Sequence, residues 1–142
     1  MKYYSIEPEV AGGWGKKTVF DRIPAKGTFV HKLHYEFDGW LGDELLESSG
    51  CYIVSERMAR EIERARLTGA QFAEVEVTTS AEFRDFHPDR QLPKFVWLRA
   101  GGVFGRDDFL LGPNLRLVIS EQALEVLERV GVSHAASIRP FS

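Results

Sequence analysis

Cysteines and long hydrophobic runs are almost absent from this sequence. Its one cysteine, Cys51, excludes an intramolecular disulfide and a cysteine-rich metal site, and a single thiol fits a reducing compartment. No run approaches the roughly 18 consecutive apolar residues that a membrane helix needs. Residues 1–5 lack the apolar core of a secretory signal. We therefore expect a cytoplasmic protein that has no membrane partner.

A surplus of basic charge is also absent, since 18 Lys and Arg residues stand against 21 Asp and Glu residues for a net charge of −3. Proteins that bind nucleic acid generally present a basic surface, so we do not expect a nucleic-acid partner. The chain has 142 residues, of which 44% are hydrophobic. That length and apolar content favour one domain, residues 1–142, with a packed core.

Catalytic and phosphate-binding motifs are missing as well. The sequence contains no Gly-x-Ser-x-Gly, His-Glu-x-x-His or Gly-x-Gly-x-x-Gly. The glycine-rich residues 11–15 precede a lysine, but Val10 stands where a phosphate loop requires glycine, and Lys17 stands where it requires Ser or Thr. We interpret this segment as a flexible loop. Cys51 precedes an apolar strand, which favours a buried structural thiol over a nucleophile. The sequence thus predicts no catalytic residue, cofactor or metal site.

What the sequence does contain is one pattern that occurs twice. The first copy consists of an apolar strand, the helix-capping residue Ser55 and a helix over residues 56–66. The pattern recurs 65 positions later, with Ser120 as the cap and a helix over residues 121–130. No gap is needed to align residues 43–70 with their counterparts. This repeat predicts an α+β fold in which a mixed or antiparallel sheet carries two main helices.

Alternating side chains indicate further strands. Residues 94–100 carry large apolar groups on both faces, so we expect a central, buried strand there. His31 and His34 fall on opposite faces of the clearest strand, which excludes a metal-binding pair. Residues 40–47 are predicted to form a short helix or a tight loop. The predicted strands cover residues 3–6, 28–37, 52–54, 72–77, 94–100 and 115–119, with an edge strand over residues 136–141, and a short helix covers residues 81–86.

An acidic segment surrounds one tryptophan. Tryptophan is enriched among the residues that dominate binding energy, and acidic groups steer basic partners. We therefore predict a protein interface here, anchored by Trp40. Two alternatives remain open, namely that Trp40 fills the core and that the carboxylates form an ordinary solvated surface. Catalysis by these carboxylates lacks a nearby nucleophile or metal partner. The predicted interface residues are Glu36, Asp38, Trp40, Asp43, Glu44 and Glu47.

Several strings in combination resemble one known family. They are YYSIEPEVAGG at 3–13, HKLHYEFDGWLGDELLES at 31–48, IVSERM at 53–58, LPKFVWL at 92–98 and RLVISEQALEVLE at 116–128. Together they are similar to the small immunity proteins of bacterial polymorphic-toxin systems, contact-dependent or secreted, a family first described as a domain of unknown function. The resemblance implies a cytoplasmic antitoxin that binds and occludes a cognate toxin domain and so protects the producing cell.

From this resemblance we expect a non-enzymatic immunity protein whose partner is a toxin domain. The resemblance carries over no binding residue, and it leaves the chemistry of the toxin open because such families pair with toxins of unrelated activities. One alternative is a structural or accessory interaction domain without catalysis. A small hydrolase is the alternative that the sequence supports least. Self-association is left open.

Overall fold

The computed structural model describes residues 1–142, which form thirteen strands, three α-helices and one short 3-10 helix, Pro113–Leu115, so the fold is α+β as predicted. No helix has both the length and the apolar character needed to cross a bilayer. The helices are α1 (Glu56–Arg64), α2 (Ala81–Phe86) and α3 (Glu121–Val130). The strands are β1 (Tyr3–Glu7), β2 (Gly12–Trp14), β3 (Val19–Ile23), β4 (Gly27–Lys32), β5 (His34–Phe37), β6 (Leu45–Ser48), β7 (Cys51–Ser55), β8 (Ala70–Ala73), β9 (Glu76–Thr79), β10 (Phe95–Ala100), β11 (Phe109–Leu111), β12 (Leu117–Ser120) and β13 (Ser137–Phe141).

Two antiparallel four-stranded sheets form the scaffold. The first sheet has the order β11-β12-β1-β13, and the second has the order β6-β7-β10-β8. In each sheet a hairpin leads directly into a helix, because a serine at the end of the strand caps that helix. Ser55 Oγ accepts a hydrogen bond from the Met58 N–H at 3.0 Å, and Ser120 Oγ accepts one from the Ala123 N–H at 3.1 Å.

The matching strand orders confirm the internal repeat. The elements that correspond are β6 and β11, β7 and β12, α1 and α3, and β8 and β13. In the second sheet β10 lies between β7 and β8, and in the first sheet β1 lies at the equivalent place between β12 and β13. Two hydrogen bonds occupy equivalent places at the starts of the helices. The Glu56 N–H donates to the Lys94 carbonyl at 2.9 Å, and the Glu121 N–H donates to the Lys2 carbonyl at 3.0 Å.

The repeat contains a one-residue offset that the ungapped alignment misses. Ser55 Oγ donates to Glu44 Oε1 at 2.7 Å, whereas Ser120 Oγ donates to Asp108 Oδ1 at 2.6 Å. The structural counterpart of Asp108 is therefore Glu44, whereas the ungapped alignment predicts Asp43. The offset arises within the hairpins, since ten residues, 45–54, separate Glu44 from Ser55, whereas eleven, 109–119, separate Asp108 from Ser120.

A third sheet, of order β2-β5-β9, and the separate hairpin β3-β4 complete the fold. β5 pairs antiparallel with β2 and parallel with β9. The predicted strand over residues 28–37 is broken at the buried Leu33, because β4 pairs with β3 while β5 joins the third sheet. The predicted strand over residues 72–77 is likewise divided between β8 and β9, which belong to different sheets.

Two further predictions are wrong in part. The segment expected to be a flexible loop contains β2, and glycine is required there because a Cβ on Gly12 would lie 1.9 Å from the Glu36 carbonyl oxygen. Residues 40–47 do not form a helix. They run as a loop into β6, whose Leu45 and Leu46 point to opposite faces of the second sheet and are both buried.

Two apolar clusters occupy the two faces of the second sheet. The larger cluster lies between α1, α3 and both scaffold sheets, and it includes Tyr52 and Leu98. The smaller cluster lies on the opposite face, where Ile53 and Trp97 pack with residues of β5 and α2. β10 lies between β7 and β8 and is covered on both faces, as predicted, and β13 is an edge strand, also as predicted.

Candidate binding surfaces

The hairpin β3-β4 is the most exposed ordered element of the protein. Every residue of β3 is exposed, and so is every residue of β4 except the half-buried Val30. Its exposed large apolar side chains include Val19 at 52% and Phe29 at 44% of their full exposure, together with Phe20 and Ile23. The hairpin thus carries exposed apolar side chains on both of its faces, and exposed apolar patches typically mark interaction sites.

The local sequence explains why this hairpin forms. Two runs rich in β-branched and aromatic residues flank a short turn, in which Ala25 and Gly27 have positive φ values of 66° and 98°. The Lys26 N–H donates to the Ile23 carbonyl at 3.0 Å and closes the turn. A turn of Pro, Lys and Gly between two strand-like runs is a readable hairpin signal. Of these two strands, only the second is predicted from the sequence, as part of residues 28–37.

The hairpin also carries a charge opposite to that of the rest of the chain. Residues 16–32 contain five Lys or Arg and one Asp, a net charge of +4, whereas the whole chain carries −3. The remaining residues therefore carry −7. Lys17 and Lys32 both pair with Glu76, at 2.9 and 3.5 Å, and the pKa of Glu76 is lowered chiefly by the hydrogen bond from Lys17. These ion pairs link the hairpin to the third sheet.

A groove of about 620 Å³ lies between the hairpin and the ends of β7 and β10. Aromatic side chains line it, namely Trp14, Phe29 and Trp97, and two arginines border it. Arg99 lies over the Trp97 ring at 4.5 Å, and Arg22 lies over the Phe20 ring at 5.4 Å. Stacking of this kind holds a guanidinium in place while its N–H donors stay free.

Cys51 also lines the groove, but its thiol is unsuited to nucleophilic chemistry. Burial raises its pKa to about 11, and the side-chain hydrogen bond with Trp14 opposes this rise only in part. A thiol with so high a pKa stays protonated near neutral pH and is a poor nucleophile. The interpretation of Cys51 as a buried residue at the start of a strand agrees with its 8% exposure.

The structure divides the predicted acidic interface into accessible and inaccessible parts. Asp38 is exposed, and Glu36 and Glu47 are partly exposed. Burial raises the pKa of Glu47, although Arg116 opposes the shift. Trp40 is half-buried, with its edge against Phe95, its Nε1 donating to the Asp43 carbonyl at 2.8 Å, and Arg90 over its ring at 4.7 Å. One part of Trp40 therefore packs on the core.

Asp43 is interior, contrary to its prediction as a surface residue. Its side chain is 2% exposed and accepts hydrogen bonds from the His134 N–H at 2.7 Å and from His134 Nδ1 at 2.9 Å. Glu9 lies beside it and accepts from the Leu41 and Asp43 N–H groups at 2.7 and 3.2 Å. Asp43 thus joins the loop before β6 to the segment after α3, a contact across 91 positions that no sequence pattern indicates.

Glu44 is also largely occupied within the protein. Its side chain is 17% exposed and accepts hydrogen bonds from Ser55 and from Arg57, whose Nη2 lies 2.5 Å from Glu44 Oε2. The hydrogen bond with Glu44 raises the pKa of Arg57 further above its ordinary value. Arg57 Nη2 also donates to the Val130 carbonyl at 2.8 Å, at the end of α3. Glu44 and Arg57 therefore connect the two halves of the repeat.

Glu9, Asp43 and His134 form the one carboxylate–histidine group whose donor atoms lie within 4.8 Å of one another. Such atoms are chemically suited to a divalent cation. Hydrogen bonds within the protein already account for them, since both carboxylates accept backbone N–H groups and His134 Nδ1 faces Asp43. This group is best described as a set of contacts that hold two loops together.

Ser133 lies near the same group without completing a nucleophilic triad. Its Oγ is 3.4 Å from Asp43 Oδ1 and 3.5 Å from His134 Nδ1. A triad requires the serine at one ring nitrogen and the carboxylate at the other, whereas both lie at Nδ1 here. His34 is elsewhere, where its Nε2 lies 2.7 Å from Thr78 Oγ1 and its Nδ1 accepts the Lys17 N–H. His34 therefore shares no hydrogen-bond partner with Asp43 or Glu44.

No protein-family model matches this chain, and no curated protein matches it. The assignment of a function therefore depends on the surfaces that the chain itself presents. Of these, the hairpin with its groove and the accessible acidic residues Glu36, Asp38 and Glu47 are the two candidates for binding.

Proposed function

We propose that this protein is an immunity protein that acts in the bacterial cytoplasm by binding and occluding a cognate toxin domain. The observation that carries the proposal is the exposed apolar hairpin β3-β4, with Phe20, Ile23 and Phe29 at the surface. Exposed apolar groups of this size lose water contact only when a partner covers them. The resemblance of several sequence strings to immunity proteins agrees with a protein partner.

Occlusion requires a rigid inhibitor and a projecting element, and it requires no chemistry from the inhibitor. The scaffold supplies rigidity, since the helices and sheets enclose a cluster of 15 buried apolar residues. The hairpin supplies the projecting element and is tied to the third sheet by the salt bridges of Lys17 and Lys32 with Glu76. We propose that the protein is not an enzyme and that its inhibition is steric.

The predicted acidic interface remains part of this proposal in a reduced form. Asp43 and Glu44 are engaged within the protein, so a partner would meet Glu36, Asp38, Glu47 and the accessible part of Trp40. Reversing the charge of Asp43 would disrupt the fold and would not report on binding. The informative pair is Glu36→Lys with Asp38→Lys, because neither side chain is buried.

The test is expression of this protein with a toxin domain encoded by the adjacent reading frame. We expect a one-to-one complex in sedimentation and survival of cells that produce both proteins. Phe29→Asp should weaken the complex by at least about tenfold, since burying an unpaired charge costs at least about 1.4 kcal/mol. Phe86→Asp is the matched control, because Phe86 is 78% exposed on α2 and does not border the groove.

Two outcomes would contradict the proposal. One is a neighbouring toxin domain that neither binds this protein nor is inhibited by it. The other is turnover of an ester, phosphate, nucleic-acid or nicotinamide-dinucleotide substrate by the purified protein alone, lost on substitution of His134 or His34 in a folded variant. If Phe29→Asp and Phe86→Asp bind the toxin as the unchanged protein does, the interface lies outside the hairpin.

A further inference from the structure

We infer that the groove under the hairpin receives an acidic segment of the partner protein, one that carries an aromatic or large aliphatic side chain between its carboxylates. The inference rests on the proposed function in that the segment would belong to the toxin domain. The groove requires an acidic segment of the toxin, whereas the accessible residues Glu36, Asp38 and Glu47, which do not border the groove, would face a basic part of it.

The first observation is uncompensated positive charge. Arg22 and Arg99 border the groove, and neither forms a salt bridge, whereas His31, which also borders the groove, is paired. Lys17 and Lys32 contact Glu76, and His31 contacts Asp21 at 2.7 Å. The two arginines are thus the free cations of the groove. A guanidinium binds a carboxylate through two parallel hydrogen bonds, a geometry that lysine does not offer.

The second observation is an aromatic lining between these charges. Trp14, Phe29 and Trp97 border a space of about 620 Å³, which is large enough for a few side chains of an extended segment. Trp14 is fixed, since its Nε1 donates to the Ser48 carbonyl at 3.1 Å and its ring packs on Phe20 at 5.3 Å. Apolar walls bordered by arginines match an apolar side chain flanked by carboxylates.

Two other occupants fit the charges less well. A nucleic acid would meet the groove favourably, but the rest of the molecule, with a net charge of −7, would repel it. A second copy bound hairpin to hairpin would place one segment of charge +4 against another, which disfavours association. An acidic protein segment is consistent with both the local and the overall charge.

The first experiment uses defined peptides and does not depend on a toxin. The probe is an acetylated, amidated nonapeptide of glutamates with a central tryptophan, titrated into ¹⁵N-labelled protein at about 50 mM salt. We expect amide shifts confined to residues that border the groove and weakening of binding as salt rises. The same peptide with lysines in place of glutamates should bind at least about tenfold more weakly.

Matched variants localise the interaction. Arg22→Glu with Arg99→Glu should weaken binding of the glutamate peptide by at least about tenfold, since it places like charges against the peptide. Arg60→Glu with Arg139→Glu changes the net charge equally on exposed residues outside the groove and should have little effect. If the double variant has a lower melting temperature than the unchanged protein, Arg22→Glu alone replaces it, because Arg22 lies on the exposed strand β3.

Several results would overturn the inference. With the peptides, these results are no binding of the glutamate peptide, or equal binding of the glutamate and lysine peptides. With the variants, the result is equal weakening of binding by the two double variants. Tighter binding of a thymidine oligonucleotide than of the glutamate peptide would indicate a nucleic acid as the occupant, and a dimer in sedimentation that Arg22→Glu dissolves would indicate a second copy. A toxin complex that Arg22→Glu with Arg99→Glu leaves unchanged rejects the groove and retains the proposed function. Groove-specific peptide binding without any inhibited toxin retains the groove and rejects the proposed function.

Discussion

The two scaffold sheets have the same strand order but very different outer faces. The outer face of the second sheet packs against β5 and α2 and contributes Ile53, Phe95 and Trp97 to a cluster of ten buried residues. The outer face of the first sheet contributes to a cluster of only three, Tyr3, Leu110 and Val118. Ile53 and Val118 are equivalent positions in the repeat, so the difference lies in what covers them.

The covering elements come from segments that the repeat does not contain. Residues 8–44 lie between β1 and β6, whereas only residues 101–108 lie between the equivalent strands β10 and β11. The longer segment supplies β2, β5 and the hairpin β3-β4, and so it both buries the second sheet and presents the exposed groove. The repeated scaffold therefore encloses the larger core, and the added segment presents the surface that we propose for binding.

The largest expected effect on the free energy of unfolding distinguishes the residues that cover the outer face of the second sheet from those that cover the outer face of the first. Phe37 on β5 is fully buried and its ring lies 5.4 Å from that of Phe95, whereas Phe104 is 53% exposed and stacks on Tyr3 at 4.7 Å. Phe37→Ala should lower the free energy of unfolding by about 3–5 kcal/mol, and Phe104→Ala by about 1 kcal/mol or less. Urea denaturation measures both. Equal losses of stability for the two variants would mean that the outer faces of the two sheets are packed equally well.

A smaller difference is expected between the two helix caps. Ser120→Ala removes the cap of α3 and also leaves Asp108 Oδ1 without its hydrogen bond, whereas Glu44 keeps Arg57 when Ser55 is lost. We expect a loss of about 2–3 kcal/mol for Ser120→Ala and about 1 kcal/mol for Ser55→Ala. Ser80→Ala, which removes a cap without a carboxylate partner, should resemble Ser55→Ala.

The edge strands of the two halves differ in one charge, since Glu47 on β6 corresponds to Leu111 on β11. Burial raises the pKa of Glu47, so the folded protein binds this proton more tightly and stability falls as pH rises from the unfolded pKa through the folded one. Glu47→Gln should therefore gain stability relative to the unchanged protein between pH 4 and pH 7, measured by urea denaturation at each pH.

The opposite sign is expected for Glu76, which provides a control for that pH series. The hydrogen bond from Lys17 lowers the pKa of Glu76, so its contribution to stability is present above the unfolded pKa and is lost as pH falls through the folded pKa. Glu76→Gln should lose stability at pH 7 relative to the unchanged protein, and the difference should shrink in acid. If both variants shift in the same direction, burial does not govern Glu47.

The smallest effect is expected on the hairpin itself. Ile23 is exposed at the end of β3, so Ile23→Ser should change the free energy of unfolding by about 0.5 kcal/mol or less. The hairpin would then contribute little to the stability of the scaffold. A thermal melt of Ile23→Ser checks this, and a loss comparable to that of Phe37→Ala would show that the hairpin is part of the core.

The sequence predicts well those features that depend on neighbouring residues. The serine caps and the two main helices follow from local spacing, and β10 is recognisable as central because both of its faces are apolar. The break at Leu33 is not predictable in this way, because it depends on which distant strands pair with β4 and β5.

The same limit explains the errors at the predicted interface. Asp43 and Asp38 are both acidic loop residues five positions apart, yet one is buried against His134 and the other is exposed. Only the return of the chain after α3 distinguishes them. The interface with a toxin stays a prediction, and it now centres on residues that the structure leaves accessible.

The position of β1 has a consequence for the order of assembly. β1 lies between β12 and β13, so its pairing partners are more than 100 residues further along the chain, whereas residues 45–100 contain every strand of the second sheet. During synthesis β1 therefore precedes both partners, so both of its edges stay unpaired until β12 is made, and one edge stays unpaired until β13 is complete. Because closing so long a loop is slow, we expect the second sheet to form first and β1 to dock last.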